Sequence, residues 1–168
     1  GLGRDVETQA NTVAAKLAQK LGGSYRLLHV PDNIERKALE SLLNIPEVNE
    51  SVEIIKNVDT LIFGIGRADV MAERRQLPES TIEELKKRGA VAEAFGHFFD
   101  TDGSIVWESP SRGLFRGDFK NINNVVGVAG GGKKAEAIIS ICSLRRNRVL
   151  VIDEGAANRI FELVNKAT

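Results

Sequence analysis

One cysteine, Cys142, stands alone in the chain, so no disulfide framework staples the fold, and that absence fits a cytoplasmic protein. It lies in the apolar run AIISICSL, where a thiol behaves as a small buried hydrophobe. Histidine is scarce as well: only His29 and His97 occur, and no Cys/His set has metal-site spacing. No apolar run approaches the roughly 18 residues of a membrane span, and the first residues lack a signal-peptide pattern, so a membrane partner is not expected. Net charge is missing too. The 23 Lys and Arg residues match 23 Asp and Glu, which leaves no overall positive field to hold a nucleic-acid backbone. A GxxxxGK[ST] Walker loop and a GxSxG elbow are absent, so neither an NTP nor acyl transfer is indicated and no cofactor is implied.

What is present suffices for one core: 168 residues, 42% of them hydrophobic, fit a single domain over 1–168. The chain opens on GLGRDV without a methionine and turns helical almost at once, so we expect it to be part of a longer polypeptide. Val6, Ala10, Val13, Leu17 and Leu21 recur at helical spacing before Gly22-Gly23. Tyr25 to Val30 reads as a buried strand entering a turn at Pro31-Asp32, and Glu35 to Leu43 and Val48 to Lys56 read as helical. Thr60 to Gly66, TLIFGIG, has the near-continuous apolarity of a parallel strand covered on both faces. Ala68 to Arg75 suggests a short helix, and Ser80 with Glu83-Glu84 a capped helix ending near Gly89. Val91 to Phe99 and Ile105 to Trp107 flank Asp100-Thr101-Asp102-Gly103, the signature of an antiparallel hairpin. Val125 to Ala129 and Val149 to Ile152 are further buried strands, each followed by glycine and a helix. The expectation is an α/β, Rossmann-like fold: a mostly parallel sheet with helices on both faces and an inserted β-hairpin, its ligands bound beyond the strand C-termini.

Four strand ends are therefore candidate sites. At Gly130-Gly131-Gly132 the backbone is free to take positive φ and approach a ligand, and the helix start beyond turns N–H groups toward it, with Lys133 and Lys134 adding charge. A tight turn with solvated lysines is the plainer alternative. GIGRADVMAERR places Arg67, Arg74 and Arg75 after a strand end, where an arginine fork suits a second anionic group, although a solvated face paired with Glu73 explains them too. Asp69 stands where a dinucleotide fingerprint needs its third glycine, so NAD is not indicated. Glu93 interrupts the apolar VAEAFGHFF and would accept sugar hydroxyls or orient an arginine, or act with His97 as acid and base. His97 and His29 also read as hydrogen-bonded structural residues, and Asp153 as a helix cap.

Taken in order, GLGRDVETQANTVAAKLA, SYRLLHVP, GIGRADVMAERR, AEAFGHFFDTDGSIV, VAGGGKKAEAI and VLVIDEGAA resemble the effector-binding domains of the SorC group of sugar-responsive bacterial regulators. The resemblance implies a fold similar to sugar-phosphate isomerases and deaminases without their catalysis, with fructose-1,6-bisphosphate or a related phosphosugar as ligand. It implies that Gln9 contacts the sugar or its phosphate, Arg74 holds a phosphate, Glu93 meets hydroxyls, and Lys134, beside Gly130 and Gly131, neutralises a phosphate. A homo-oligomer, and operator DNA held by an upstream helix-turn-helix, are implied as well. The group's Gly-Gly-Thr-Thr phosphate loop, and an arginine just before the GLG segment, are not in this chain. The alternative is a phosphosugar isomerase or deaminase in which Glu93 and His97 move protons.

Overall fold

The computed structural model describes residues 6–28, 36–108, 122–144 and 149–166. His29, Pro31-Asp32 and the GLGRD segment lie outside them. A 3-10 turn at Val6–Thr8 leads into α1 (Ala10–Lys20), which ends as expected: Gly22, at φ 67°, donates to Gln19 and Gly23 to Ala18, closing the last turn on a left-handed residue. The apolar stripe of α1 is not buried, and Val6, Val13, Leu17 and Leu21 stay exposed. Tyr25 to Leu28 forms no strand. An apolar run becomes one only with a ladder partner, and here Tyr25 is exposed while Arg26 pairs with Glu50 at 2.7 Å. The two helical patches appear as α2 (Arg36–Leu42) and α3 (Pro46–Lys56), the latter opening on Pro46, whose fixed φ suits the first helical position.

The TLIFGIG run divides between two sheets. Its first part is β1 (Thr60–Gly64), parallel to β6 (Asn124–Ala129), which in turn runs parallel to β7 (Val149–Ile152). After Ile65 it continues as β2 (Gly66–Arg67), the first strand of an antiparallel sheet in the order β2, β3 (Ala92–Ala94), β4 (His97–Phe99), β5 (Ile105–Glu108). The inserted unit is thus larger than a hairpin. Val91 to Phe99 is not one strand either, because Phe95 (φ 57°) and Gly96 (φ 80°) fold it back in a two-residue turn, both φ values being positive as that turn requires. The Asp100–Gly103 turn forms as expected, with the Asp100 carboxylate accepting from the N–H of Asp102 and Ser104.

Helix α4 (Ala68–Arg74) follows β2 directly, and α5 (Glu79–Lys87) starts at Pro78 rather than at a Ser80 cap. These two helices enclose Phe98 with Ala68, Ala72 and Leu85. A second core joins the antiparallel and parallel sheets: Ala92, Ala94 and Phe99 pack with Ile65, Ala129 and residues of α6 (Ala135–Ser143) and α7 (Glu154–Lys166). Among the described residues no helix is long and apolar enough to cross a membrane.

Candidate functional site

The C-terminal end of β6 opens into Gly130-Gly131, a 3-10 turn at Gly132–Lys134, and then α6. Gly131 takes φ 90°, which side chains rarely adopt, and its N–H donates to Asp153 Oδ2 at 2.8 Å. The other carboxylate oxygen accepts the Ala156 N–H at 2.8 Å, so Asp153 caps α7 and braces the glycine turn together. These two amides, Gly131 before Ala156, hold the Asp153 carboxyl below its ordinary value. Gly130 has no room for a side chain, since a Cβ there would lie 2.8 Å from Asp153 Oδ2. With Gly131 engaged, the amides of Gly132 and Lys133 are the ones that open the helical stretch without an intrahelical acceptor.

The adjacent lysines part company. Lys134 turns inward and donates from Nζ to the Ile65 carbonyl at 2.9 Å, at the step where the chain passes from one sheet to the other. Lys133 instead lines an open cleft of about 560 Å³ with Gly132, Arg67, Arg159, Glu136 and Leu163. Two of the cations there have carboxylate partners: Arg67 pairs with Asp69, and Arg159 with Glu162 at 2.7 Å.

Glu93 sits in β3 opposite Gly66 on one side and Phe98 on the other, so its side chain shares their face, toward α4. Its Oε1 accepts from Arg75 Nη2 at 2.8 Å and from the Gly96 N–H at 2.7 Å. The side chains of this pair are only 12% and 5% exposed. Helix α4 aims Arg75 there by its ending. Gln76, at φ 53°, donates to Glu73 and Leu77 to Ala72, a Schellman closure that leaves Arg75 as the last residue pointing into the fold. Arg74, one residue earlier, is exposed. His97 lies opposite Ala94, on the other face of the hairpin from Glu93, and its Nε2 approaches Glu108 Oε1 at 3.8 Å. The Glu93 and His97 acid-base pair required by the isomerase alternative is therefore not formed.

Residues 1–162 match the family described as "Putative sugar-binding domain". The chain belongs to this sugar-binding domain family. It is 43% identical over 161 residues to the central glycolytic genes regulator of Bacillus subtilis, covering 96% of this chain and 47% of that protein. The regulator of the same name from Priestia megaterium is 41% identical over 165 residues, covering 98% and 48%. The chain thus spans about half the length of the curated relatives it matches. A SorC-family regulator structure from Enterococcus faecalis superposes with a TM-score of 0.82 at 40% identity, over 95% of this chain and 65% of that one.

Within the sugar-binding domain, the residues singled out from sequence are distributed unevenly. Gly130, Gly131 and Lys134 meet at one strand end, and Lys134 reaches back to Ile65, the neighbour of Glu93's partner Gly66. Gln9 precedes α1, a helix with no buried residue. Sequence reasoning passed over Arg75 in favour of Arg74. The available signal was that a buried Glu93 needs a cation, and only the helix ending decides which of two adjacent arginines supplies it. Arg67 and Lys133 were read as separate candidates, but that they share a cleft with Arg159 was missed, because Arg67 and Arg159 lie 92 positions apart.

Proposed function

We propose that this domain senses a phosphosugar, fructose-1,6-bisphosphate or a close relative, on behalf of a longer transcriptional regulator, and does not process it. The observation behind this reading is the Gly130–Lys134 turn: a braced, side-chain-free strand end with amides at a helix start and one lysine held over the sheet crossover. Membership of the sugar-binding family and the regulatory names of its relatives support it. Lys134 uses one of its three donors on Ile65, which leaves two for phosphate oxygens. Arg74, exposed at the end of α4, is the proposed partner for a second phosphate, and Gln9, just before α1, a contact to the sugar or its phosphate. The effector acts by favouring one arrangement of a homo-oligomer on operator DNA, held through a helix-turn-helix outside these residues. Such a shift requires unequal affinity for the two arrangements.

Calorimetric titration tests this. Fructose-1,6-bisphosphate is expected to bind, and Lys134→Ala to weaken it about ten- to a hundredfold, the worth of one charge-assisted contact. Unchanged affinity in Lys134→Ala, or turnover of aldose and ketose phosphates above background, overturns the reading.

A further inference from the structure

The geometry points to Arg75 as a positioning residue that fixes Glu93 as the acceptor for a ligand hydroxyl and so makes the site prefer a polyol over a bare bisphosphate. This rests on the sensing function proposed above. Three observations support it. First, both donors that Glu93 meets, Arg75 Nη2 at 2.8 Å and the Gly96 N–H at 2.7 Å, converge on Oε1, and among the described residues Oε2 accepts nothing. A nine-tenths buried carboxylate with one saturated oxygen and one open oxygen presents a single directed acceptor. Such an acceptor suits an O–H donor and repels a phosphate. Second, Arg75 keeps its Nε without a hydrogen-bond partner among the described residues, so its guanidinium is not placed for its own hydrogen-bonding benefit, and the contact with Glu93 is what holds it. Third, the carboxylate also pins the Phe95-Gly96 turn, where Phe95 adopts φ 57°, a backbone conformation that side chains rarely take. Arg75, Glu93 and this turn form one rigid unit, braced further by the Phe95 ring against Phe63, 4.7 Å between centroids. A carboxylate held this way cannot swing to another rotamer when a hydroxyl is missing, so an analogue lacking the hydroxyl leaves a buried acceptor unpaired.

The test compares two probes, fructose-1,6-bisphosphate and hexane-1,6-diol bisphosphate, which keeps both phosphates and lacks the hydroxyls. The variants are Arg75→Met, Glu93→Gln, the double variant and Arg75→Lys, each titrated by calorimetry after its folding is verified by thermal unfolding. The unaltered protein should favour the sugar, and each single variant should cut that preference about tenfold or more. In the double variant, which removes both charges and so tolerates the loss of either, the preference should fall no further than in Glu93→Gln alone. Arg75→Lys should recover part of it. General damage to the fold would lower affinity for both probes equally. Additive losses in the double variant, or an unchanged preference in Arg75→Met, overturn the positioning role and leave the sensing function standing. Equal affinity of the unaltered protein for the two probes overturns the positioning role, and failure of fructose-1,6-bisphosphate itself to bind overturns both.

Discussion

The two sheets of this domain are built to opposite standards of burial. In the antiparallel unit every residue of β3 is buried, Phe98 is 0% exposed, and even the charged Glu93 is enclosed with its cation. In the parallel sheet, one face packs on α6 and α7 while the other stays open, with Ile62 53%, Val149 57% and Val151 51% exposed. The open residues are in register: Ile62 lies beside Val126 and Val126 beside Val149, while Val128 lies beside Val151. They form a continuous apolar surface of the kind that parallel strands ordinarily place beneath helices. The lesson is that apolar composition states what a strand is suited to pack against, whereas burial depends on which segments are there to pack. Within these residues the antiparallel unit is filled from both sides by α4, α5 and α6, and the parallel sheet from one.

Paired substitutions put that contrast to the test. Phe98→Ala removes a fully enclosed ring that meets Trp107 edge-on at 5.4 Å, and should cost about 3 to 5 kcal/mol by denaturant unfolding. Val151→Ser, on the open face, should change stability by no more than about 0.5 kcal/mol. Equal losses at the two positions would break the comparison and mean that the open face is covered in solution. Gly131→Ala falls between them. Nothing lies within 4 Å of the added Cβ, so the whole effect is backbone strain at φ 90°, about 1 to 3 kcal/mol.

The same contrast governs what could be read from the chain itself. The strand-glycine-helix pattern at Val125 to Ile138 was legible because short-range rules settle it: apolar residues for β6, glycines where φ or space demands them, and a helix after. Asp153 was legible as a cap for the same reason, although its second bond, to Gly131 22 residues back, was not. Tyr25 to Leu28 misled because an apolar run before a turn promises a strand only if another strand pairs with it. TLIFGIG misled in part because Ile65, an ordinary residue in the text, is where the chain leaves one sheet for the other. In the candidate site, residue types were readable and partnerships were not. That a carboxylate inside VAEAFGHFF needs a cation is chemistry visible in sequence, but the choice of Arg75 over Arg74 depends on the left-handed Gln76 that ends α4.

The smallest expected effect sharpens the parallel half. Asp153 ties the turn after β6 to the start of α7, and its carboxyl lies below its ordinary value of 3.8 because the amides of Gly131 and Ala156 donate to the ionised form. A group with a depressed folded value adds stability that is complete above the unfolded value and is lost as pH falls through the folded one. Unfolding midpoints measured from about pH 6 down to about pH 2 should therefore fall, and Asp153→Asn should flatten the part of that fall below about pH 4. The side chain is solvent-exposed, so the flattening should be modest. Its location is the informative part: amide exchange at Gly131 and Ala156 should quicken in Asp153→Asn, while Gly96, held by Glu93 in the antiparallel unit, should stay protected. Quickened exchange at all three amides would mean that the two halves open together rather than as separate units.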